Sequence, residues 1–298
     1  MKASPFFSII VPTYNRADII SSTIHSLLKQ DFHDFEIIVV DDGSADETGE
    51  RIKRDFAANE KVFYYSKQNE ERGAARNYGA KKAHGKYVNF FDSDDLALSN
   101  HLSEAHSLIQ KNNSPPFFHL NYRTENEKGV ILSQGEDLTN IDSLVLDGNP
   151  FSCNGVFMQK ELCSANPFQE DRKIAASEDY LLWLRLVARY DFCYSNTVTS
   201  IIIEHADRSV NQIQKDKLIE RKMGMLNYAL SDEFILAKFG SSIKRIELNT
   251  LTYIALHLAL SNYKKDAMKF YKRALRLSPI SVLSKRSLAI VKHLILPK

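Results

Sequence analysis

Two acidic clusters in the sequence each follow directly on an apolar run. Residues 41–44 are Asp-Asp-Gly-Ser, and residues 92–95 are Asp-Ser-Asp-Asp. Carboxylates this close together repel one another unless a cation or hydrogen-bond donors compensate their charge. The hard oxygen ligands of an Asp-x-Asp pair suit Mg²⁺ or Mn²⁺, and such a cation in turn binds a diphosphate. The clusters therefore predict a site for a divalent cation and a phosphorylated ligand.

Part of this acidity has a simpler explanation. Asp42, Ser44 and Asp46 also suit helix caps and turns, so a structural role and a ligand role both stay open for them. For residues 92–95 we favour the ligand role, because they come directly after an apolar strand. The sequence contains neither a GxGxxG nor a GxxxxGK[ST] loop. A diphosphate would therefore be held by a metal and by side chains such as Arg76.

The elements that must position these clusters alternate in type along the first hundred residues. Four apolar runs predict strands: 7–12, 36–40, 62–65 and 86–91. The intervening stretches have the spacing of amphipathic helices: 17–30, 46–58 and 73–84. This alternation predicts an α/β fold with a parallel sheet and helices on both of its faces. Ligands bind at the carboxyl ends of strands in such sheets, which is where both clusters fall.

The chain changes character beyond residue 100. We expect helices at 101–111 and 178–189, strands at 117–123, 155–159 and 197–204, and a polar, turn-rich stretch at 124–136. From residue 210 onward only helical periodicity remains. Residues 211–298 carry 17 Lys and Arg against 6 Asp and Glu, whereas the preceding part is acidic overall. Such a basic region points to an anionic partner.

Composition narrows the class of protein. Apolar residues make up 44% and charged residues 26% of the 298 residues, which is typical of a globular protein and unlike a disordered one. The three cysteines form no CxxC pair, which indicates a reducing compartment. The sequence has no apolar stretch of 18 residues and no signal-peptide pattern. We therefore expect a cytoplasmic protein that is soluble or peripheral at the inner face of the cell membrane.

Three strings of the sequence together resemble a known family. SIIVPTYNRADII, EIIVVDDGSADET and NEERGAARNYGAKKAHGKYVNFFDSDD, in this order and spacing, are similar to the nucleotide-sugar-binding half of the family 2 glycosyltransferases. The resemblance is close over about residues 6–100 and looser to about 209. It implies a GT-A fold, with a Rossmann-like, mostly parallel sheet, in residues 1–209. The nucleotide-sugar half would be about 1–100, the acceptor half about 101–209, and residues 210–298 a basic, all-helical extension.

The resemblance also implies roles for individual residues. The nucleotide-sugar donor would be bound by eight of them: Pro12, Thr13, Tyr14, Asn15, Asp41, Arg76, Asp92 and Ser93. Asp41 would accept a hydrogen bond from a uracil ring, which makes UDP the first expected nucleotide. Asp94 would be the main ligand of Mn²⁺ or Mg²⁺, and Asp95 is a third acid beside it.

The downstream half supplies the remaining candidates. Residues 178–186, Glu-Asp-Tyr-Leu-Leu-Trp-Leu-Arg-Leu, resemble the Glu-Asp motif that opens a helix in this family. Asp179 would be the catalytic base, with Glu178 beside it, although both acids also suit an ordinary helix N-terminus. His205, in a segment that resembles the family's His-x-x-x-Ser, would complete the metal site or contact the diphosphate, and a purely structural role stays open for it. Trp183 is expected to be helix core.

The reaction implied is transfer of one sugar with inversion, because the Gln-x-x-Arg-Trp motif of processive members is absent. The type would be a hexosyl- or N-acetylhexosaminyltransferase acting on a glycan or a lipid-linked acceptor in bacterial surface polysaccharide synthesis. The alternative is a non-catalytic module that binds a nucleotide sugar and docks on a partner through its basic helices. Nucleic acid is not an expected partner, since only the basic tail supports it.

Two amphipathic segments close the chain, at 263–277 and 280–296. Their basic residues suit an anionic lipid surface, to which an amphipathic helix binds through its apolar face. Equally, the apolar faces suit packing on the catalytic domain or in a homo-oligomer, with the charges in solvent.

Overall fold

The computed structural model describes residues 4–204 and 214–295. They form two compact units. The first unit consists of the described residues within 1–139, 150–172 and 190–206. The second unit consists of those within 140–149, 173–189 and 207–298. The predicted boundary between catalytic domain and extension, at 209/210, lies outside the described residues and stays a prediction.

The first unit contains one nine-stranded sheet. Its strands are β1 (Phe7–Thr13), β2 (Phe35–Asp41), β3 (Val62–Ser66), β4 (Tyr87–Phe90), β5 (Leu96–Ala97), β6 (Phe117–Asn126), β7 (Ile131–Gln134), β8 (Val156–Gln159) and β9 (Phe192–Glu204). Its helices are α1 (Ile20–Leu28), α2 (Thr48–Phe56), α3 (Glu71–Lys82), α4 (His101–Lys111) and α6 (Lys160–Ala165). The strand order is β3-β2-β1-β4-β8-β6-β9-β5, with β7 beside β6.

The first four strands pair in parallel, as the sequence predicts. Beyond β4 the sheet is mixed, because β8 pairs antiparallel with both β4 and β6 while β9 runs parallel to β6. The polar stretch at 124–136, expected to be a turn region, contains β7, whose four residues are all exposed. Its apolar residues, Ile131 and Leu132, are adjacent and both exposed, so the sequence lacks the apolar–polar alternation that indicates a half-buried strand.

Helices cover both faces of the parallel part. The side chains of Ile9 and Ile37 belong to a core that also includes apolar residues of α1, α2 and α4. Ile10 points to the other face, where a Cβ added at Gly79 of α3 would collide with it. Successive strand residues face opposite sides of a sheet, and both sides are covered here, so every residue of β1 and β2 is buried.

The second unit is helical in its described residues. Its helices are α5 (Ile141–Asp147), α7 (Glu178–Arg189), α8 (Lys215–Ser231), α9 (Glu233–Phe239), α10 (Lys244–Leu260), α11 (Lys264–Leu277) and α12 (Lys285–Ile295). The helical extension expected beyond residue 210 is thus present. Among the described residues no helix has both the length and the apolarity that crossing a membrane requires.

The two closing amphipathic segments differ in how they use their apolar residues. On α11, Ala267 and Tyr271 are buried in clusters with residues of α10, and Ala274 is also buried, so this face is internal to the unit. Around α12, in contrast, Leu283 and Leu288 are 75% and 62% exposed. Packing within the unit therefore accounts for α11 but not for the outer side of residues 280–295.

Candidate functional site

The loops that follow β1 and β2 are tied to each other. Asn15, whose φ is +51°, donates its backbone N–H to Ser44 Oγ at 2.9 Å. Its side-chain oxygen accepts from the N–H of Ala45 at 2.8 Å, and the N–H of Arg16 donates to Thr48 Oγ1 at 2.8 Å. Polar residues thus hold the loops at these two strand ends together; we call the pair of loops the rim.

Asp41 ends β2 and is buried in this rim. One carboxylate oxygen accepts from the N–H of Ser44 at 2.9 Å and the other from the hydroxyl of Tyr64 at 2.8 Å. Burial, and then the hydrogen bond to Asp41, raise the pKa of Tyr64 to about 12. The tyrosine stays protonated at neutral pH, so it donates to Asp41 and fixes the orientation of the carboxylate.

The side chain of Thr13 lies at the end of β1, next to the end of β2 that carries Asp41. Thr13 is paired in register with Asp41 and is 3% exposed. Its hydroxyl has no hydrogen-bond partner among residues 4–204 and 214–295. A buried hydroxyl left in this way is costly unless a ligand or water completes it. Tyr14 follows with half of its surface exposed, and Pro12 precedes within the buried strand.

The sequence left open whether Asp42 and Asp46 have structural roles, and both side chains make structural hydrogen bonds. Asp42 accepts from Lys67 Nζ and from the N–H of Glu70, each at 3.0 Å. Asp46 accepts from the N–H of Thr48, at the start of α2, at 3.0 Å. These contacts fit the cap and turn roles that the sequence left open.

Arg76 and Asp92 form an ion pair at the end of β4. Arg76 lies on α3, is 2% exposed and donates from Nη2 to Asp92 Oδ1 at 2.8 Å. Its guanidinium carbon also lies 5.2 Å from the centre of the Phe168 ring. Burying an arginine is costly unless a carboxylate compensates its charge. The pair therefore fixes Asp92, while Ser93 lies buried next in the chain.

Asp95 is held by hydrogen bonds within the fold. Its carboxylate accepts from Asn154 Nδ2 at 2.7 Å and from the N–H of Ile203 at 3.0 Å. Asn154 also accepts from the N–H of Asp92 at 2.8 Å. Asn154 thus joins both ends of the 92–95 cluster. Nothing in its local sequence signals this role, because its partners are distant in the chain.

Asp94 lies between these two anchored acids. Its Oδ2 is 3.5 Å from Arg16 Nη2. No group of three His, Cys, Asp or Glu residues that could hold a metal ion exists among the described residues. Magnesium commonly binds proteins through one or two carboxylates plus substrate phosphates. A single carboxylate at this place therefore fits a cation that a diphosphate helps to hold. His205 lies outside the described residues.

The second unit carries the Glu-Asp pair at the start of α7, where the sequence predicts it. Glu178 is buried and accepts from the N–H of Ser177 at 3.1 Å. Asp179 is partly exposed and accepts from Asn149 Nδ2 at 3.1 Å. Ala176, just before the helix, has a φ of +66°, an uncommon value for a residue with a side chain. Trp183 is fully buried, so its predicted place in the core is confirmed.

Lys222 of α8 lies outside every motif that the sequence offers. It donates from Nζ to Ser177 Oγ at 3.1 Å, one residue before the Glu-Asp pair. The motif strings end before α8, and a lysine on an amphipathic helix carries no signal of its own. Only the packing of α8 shows that this lysine differs from its neighbours.

The model of the family described as "Glycosyl transferase family 2" matches residues 8–129. The chain is 31% identical over 180 residues to an Escherichia coli protein, covering 60% of this chain and 69% of that one. That protein is named UDP-Glc:alpha-D-GlcNAc-diphosphoundecaprenol beta-1,3-glucosyltransferase WfgD. This chain is also 30% identical to a Rickettsia felis protein named as a glycosyltransferase, and the match covers 89% of this chain but 43% of that relative. The chain thus spans less than half of some relatives.

A solved structure shows the same fold. The structure of S. aureus TarS 1–349 in complex with UDP-GlcNAc superposes with a TM-score of 0.70 at 22% identity, covering 97% of this chain and 88% of that one. The likeness confirms the α/β GT-A fold predicted from the sequence. The family match and the E. coli relative show that the chain belongs to glycosyl transferase family 2.

Proposed function

We propose that the protein is an inverting glycosyltransferase that moves a single sugar from a UDP-sugar to a hydroxyl of a glycan or lipid-linked acceptor. The observation that carries this proposal is the strand order β2-β1-β4. It brings the carboxyl ends that bear Asp41, Thr13 and the 92–95 cluster to one edge of the sheet. In open α/β sheets this edge is where ligands bind.

The nucleotide end of the donor would occupy the rim after β1 and β2. Asp41, oriented by Tyr64, would accept a hydrogen bond from a uracil N–H. Thr13 would gain a partner for its buried hydroxyl, and the exposed ring of Tyr14 would stack on the base or ribose. Asn15 would shape this pocket through its loop contacts. Arg76, Asp92 and Ser93 would lie by the ribose and diphosphate.

Asp94 would hold a divalent cation, Mn²⁺ or Mg²⁺, with His205 as a further ligand. When bound, the cation supplies positive charge that stabilises the departing nucleoside diphosphate. The arginines next to the cluster, Arg16 and Arg76, already compensate part of the charge of Asp94 and Asp92. These two arginines reduce the repulsion between the carboxylates when no ligand is bound.

Asp179 would act as the general base and Glu178 would support it. The acceptor hydroxyl gives its proton to Asp179 as its oxygen forms a bond to the anomeric carbon. The bond from that carbon to the diphosphate breaks, and its electron pair leaves with UDP. Attack opposite to the leaving group inverts the anomeric centre. A base placed in this way typically contributes about 10²–10⁴ in rate.

The names of similar proteins support our proposal for the substrate class. The E. coli relative is named for a UDP-glucose donor and a GlcNAc-diphosphoundecaprenol acceptor, and TarS was solved with UDP-GlcNAc. Both names support a UDP-sugar donor and a hexosyl- or N-acetylhexosaminyltransferase of bacterial surface polysaccharide synthesis. A lipid-linked acceptor would place the protein in the cytoplasm, peripheral to the inner face of the membrane.

The outer side of residues 280–295 supports contact with such a membrane. It exposes Ile280, Leu283, Leu288 and Ile295 together with Lys285 and Lys292. No acidic residue occurs beyond Asp266. Apolar side chains flanked only by cations suit the headgroup region of an anionic bilayer.

The experiment that tests the activity is release of UDP from UDP-glucose and UDP-GlcNAc with Mn²⁺, with and without a GlcNAc-diphosphoundecaprenol acceptor. Acceptor-dependent release supports the proposal. Binding of UDP-sugar, measured by calorimetry, without release or transfer would favour the alternative of a non-catalytic nucleotide-sugar module. Size-exclusion chromatography with light scattering would show whether the chain is a homo-oligomer.

A further inference from the structure

The helical extension contributes a lysine to the surroundings of the Glu-Asp pair. Lys222 lies on α8, in the same compact unit as α7. Its ammonium donates to Ser177 Oγ at 3.1 Å and stands 4.8 Å from the centre of the Tyr253 ring. The side chain is only partly exposed. A cation withdrawn from solvent in this way needs nearby negative charge.

Close packing holds α8 in this place. Gly224 lies two residues after Lys222, and a Cβ added there would come within 2.8 Å of Ile174 Cγ2. Ile174 lies in the short segment that leads into α7. The helix therefore approaches this segment more closely than a larger residue would permit, and Lys222 is fixed against the start of α7.

The charges around Lys222 come from three other helices as well as its own. Burial lowers the pKa of Lys222, and among its neighbours Asp179 and Glu178 of α7 raise it while Arg221 of α8 lowers it. From α10, Tyr253 and His257 face the same region; burial first, and then the Lys222 charge, lower the pKa of His257. Arg286 of α12 adds a second cation near these two. Asp179 and Glu178 are the carboxylates that act on Lys222, while Asp147 acts on Arg286.

We propose that Lys222 is a positioning residue for the reaction, the counter-charge that keeps the Asp179 carboxylate ionised at the start of α7. This inference rests on the proposed role of Asp179 as the base. An adjacent cation favours the charged form of a carboxylate, so the base would remain unprotonated to lower pH than it otherwise would. The extension is then part of the catalytic apparatus through α8, whatever its outer surface binds.

The kinetic test measures the pH profile of kcat for UDP release from UDP-glucose and UDP-GlcNAc in the presence of the GlcNAc-diphosphoundecaprenol acceptor. Lys222→Met removes the charge and keeps the length of the side chain. We expect the acid limb to move to higher pH by ~1 unit or more, with little loss on the plateau. Lys222→Arg should keep the limb of the unmodified protein. Lys217→Met, at an exposed position of the same helix, is the matched control. If the acid limb of the pH profile of Lys222→Met coincides with that of Lys217→Met, the proposal is overturned.

A second test needs no activity. Thermal unfolding is measured for Lys222→Met, Asp179→Asn, their combination and the unmodified chain. If the two charges interact, Lys222→Met should lower the Tm more in the unmodified chain than in the Asp179→Asn variant. We expect the two decreases to differ by about 2 °C or more. Equal changes in both backgrounds overturn the inference. If no UDP-sugar is turned over, the proposed donor fails, and this cycle still decides whether Lys222 is the counter-charge.

Discussion

Tyr64 donates a hydrogen bond of 2.8 Å to the buried carboxylate of Asp41. The pair fixes the carboxylate that we propose as the uracil contact. Because this contact would exist in the ground state and the transition state alike, Asp41→Ala should raise the KM for UDP-sugar more than it lowers kcat. Tyr64→Phe should raise KM less, since the carboxylate remains. Steady-state kinetics with varied donor measures both, and an unchanged KM in Asp41→Ala would remove Asp41 from the pocket.

The same pair gives a pH dependence of stability. The pKa of Tyr64 is raised to about 12, above its ordinary value near 10. The folded state thus retains a proton that the unfolded chain loses, and this contribution to stability is complete below about pH 10 and disappears as pH rises towards 12. Thermal unfolding of Tyr64→Phe should lose less Tm across this range than the unmodified chain. Parallel curves for the two proteins would contradict the assignment.

Asp94→Ala should abolish transfer and weaken binding of UDP in Mn²⁺ or Mg²⁺, because it removes the carboxylate proposed to hold the cation. The Tm should change little, as the change relieves repulsion within the 92–95 cluster. Calorimetry of UDP with and without metal measures the effect. The same substitution at the exposed Asp31 is the control. Full activity of Asp94→Ala, or of the unmodified protein in excess chelator, would contradict the metal role.

Asp179→Asn keeps the shape of the side chain and removes its basicity. We expect donor affinity to be retained and kcat to fall by about 10²–10⁴. Glu178→Gln is the comparison, since Glu178 is buried and contacts the backbone of Ser177. A larger loss of kcat in Glu178→Gln than in Asp179→Asn would reverse the roles of the two acids.

Binding to anionic liposomes tests the exposed apolar surface around α12. The full chain should float with vesicles of phosphatidylglycerol and less so in high salt, since screening weakens its lysines. Leu283→Ser with Leu288→Ser should reduce flotation without lowering the Tm, because both side chains are mostly exposed. Leu132→Ser, at an exposed position of β7, is the matched control. Equal flotation of all variants would argue against this surface.

Much of the fold follows from local pattern. The helices at 101–111 and 178–189 have the bounds expected from periodicity; β1 ends one residue later than expected, and β2 is longer by one residue at each end. The polar residues after each buried strand were identifiable because strand ends in a parallel sheet converge. What could not be identified was β7, whose exposed residues have no apolar alternation, and the mixed second half of the sheet, since pairing direction depends on distant strands.

The sequence by itself was enough to predict the family and the GT-A fold, because the three strings that resemble the family are local runs of residues, and it also supplied the acids that we propose for the site. The tertiary structure decided what each acid touches. It gave Asp95 to Asn154 and Ile203, paired Asp92 with Arg76, and set Lys222 beside Ser177. These partners lie 16 to 108 residues apart in the chain. No local pattern records such contacts, since they arise only when packing closes the chain on itself.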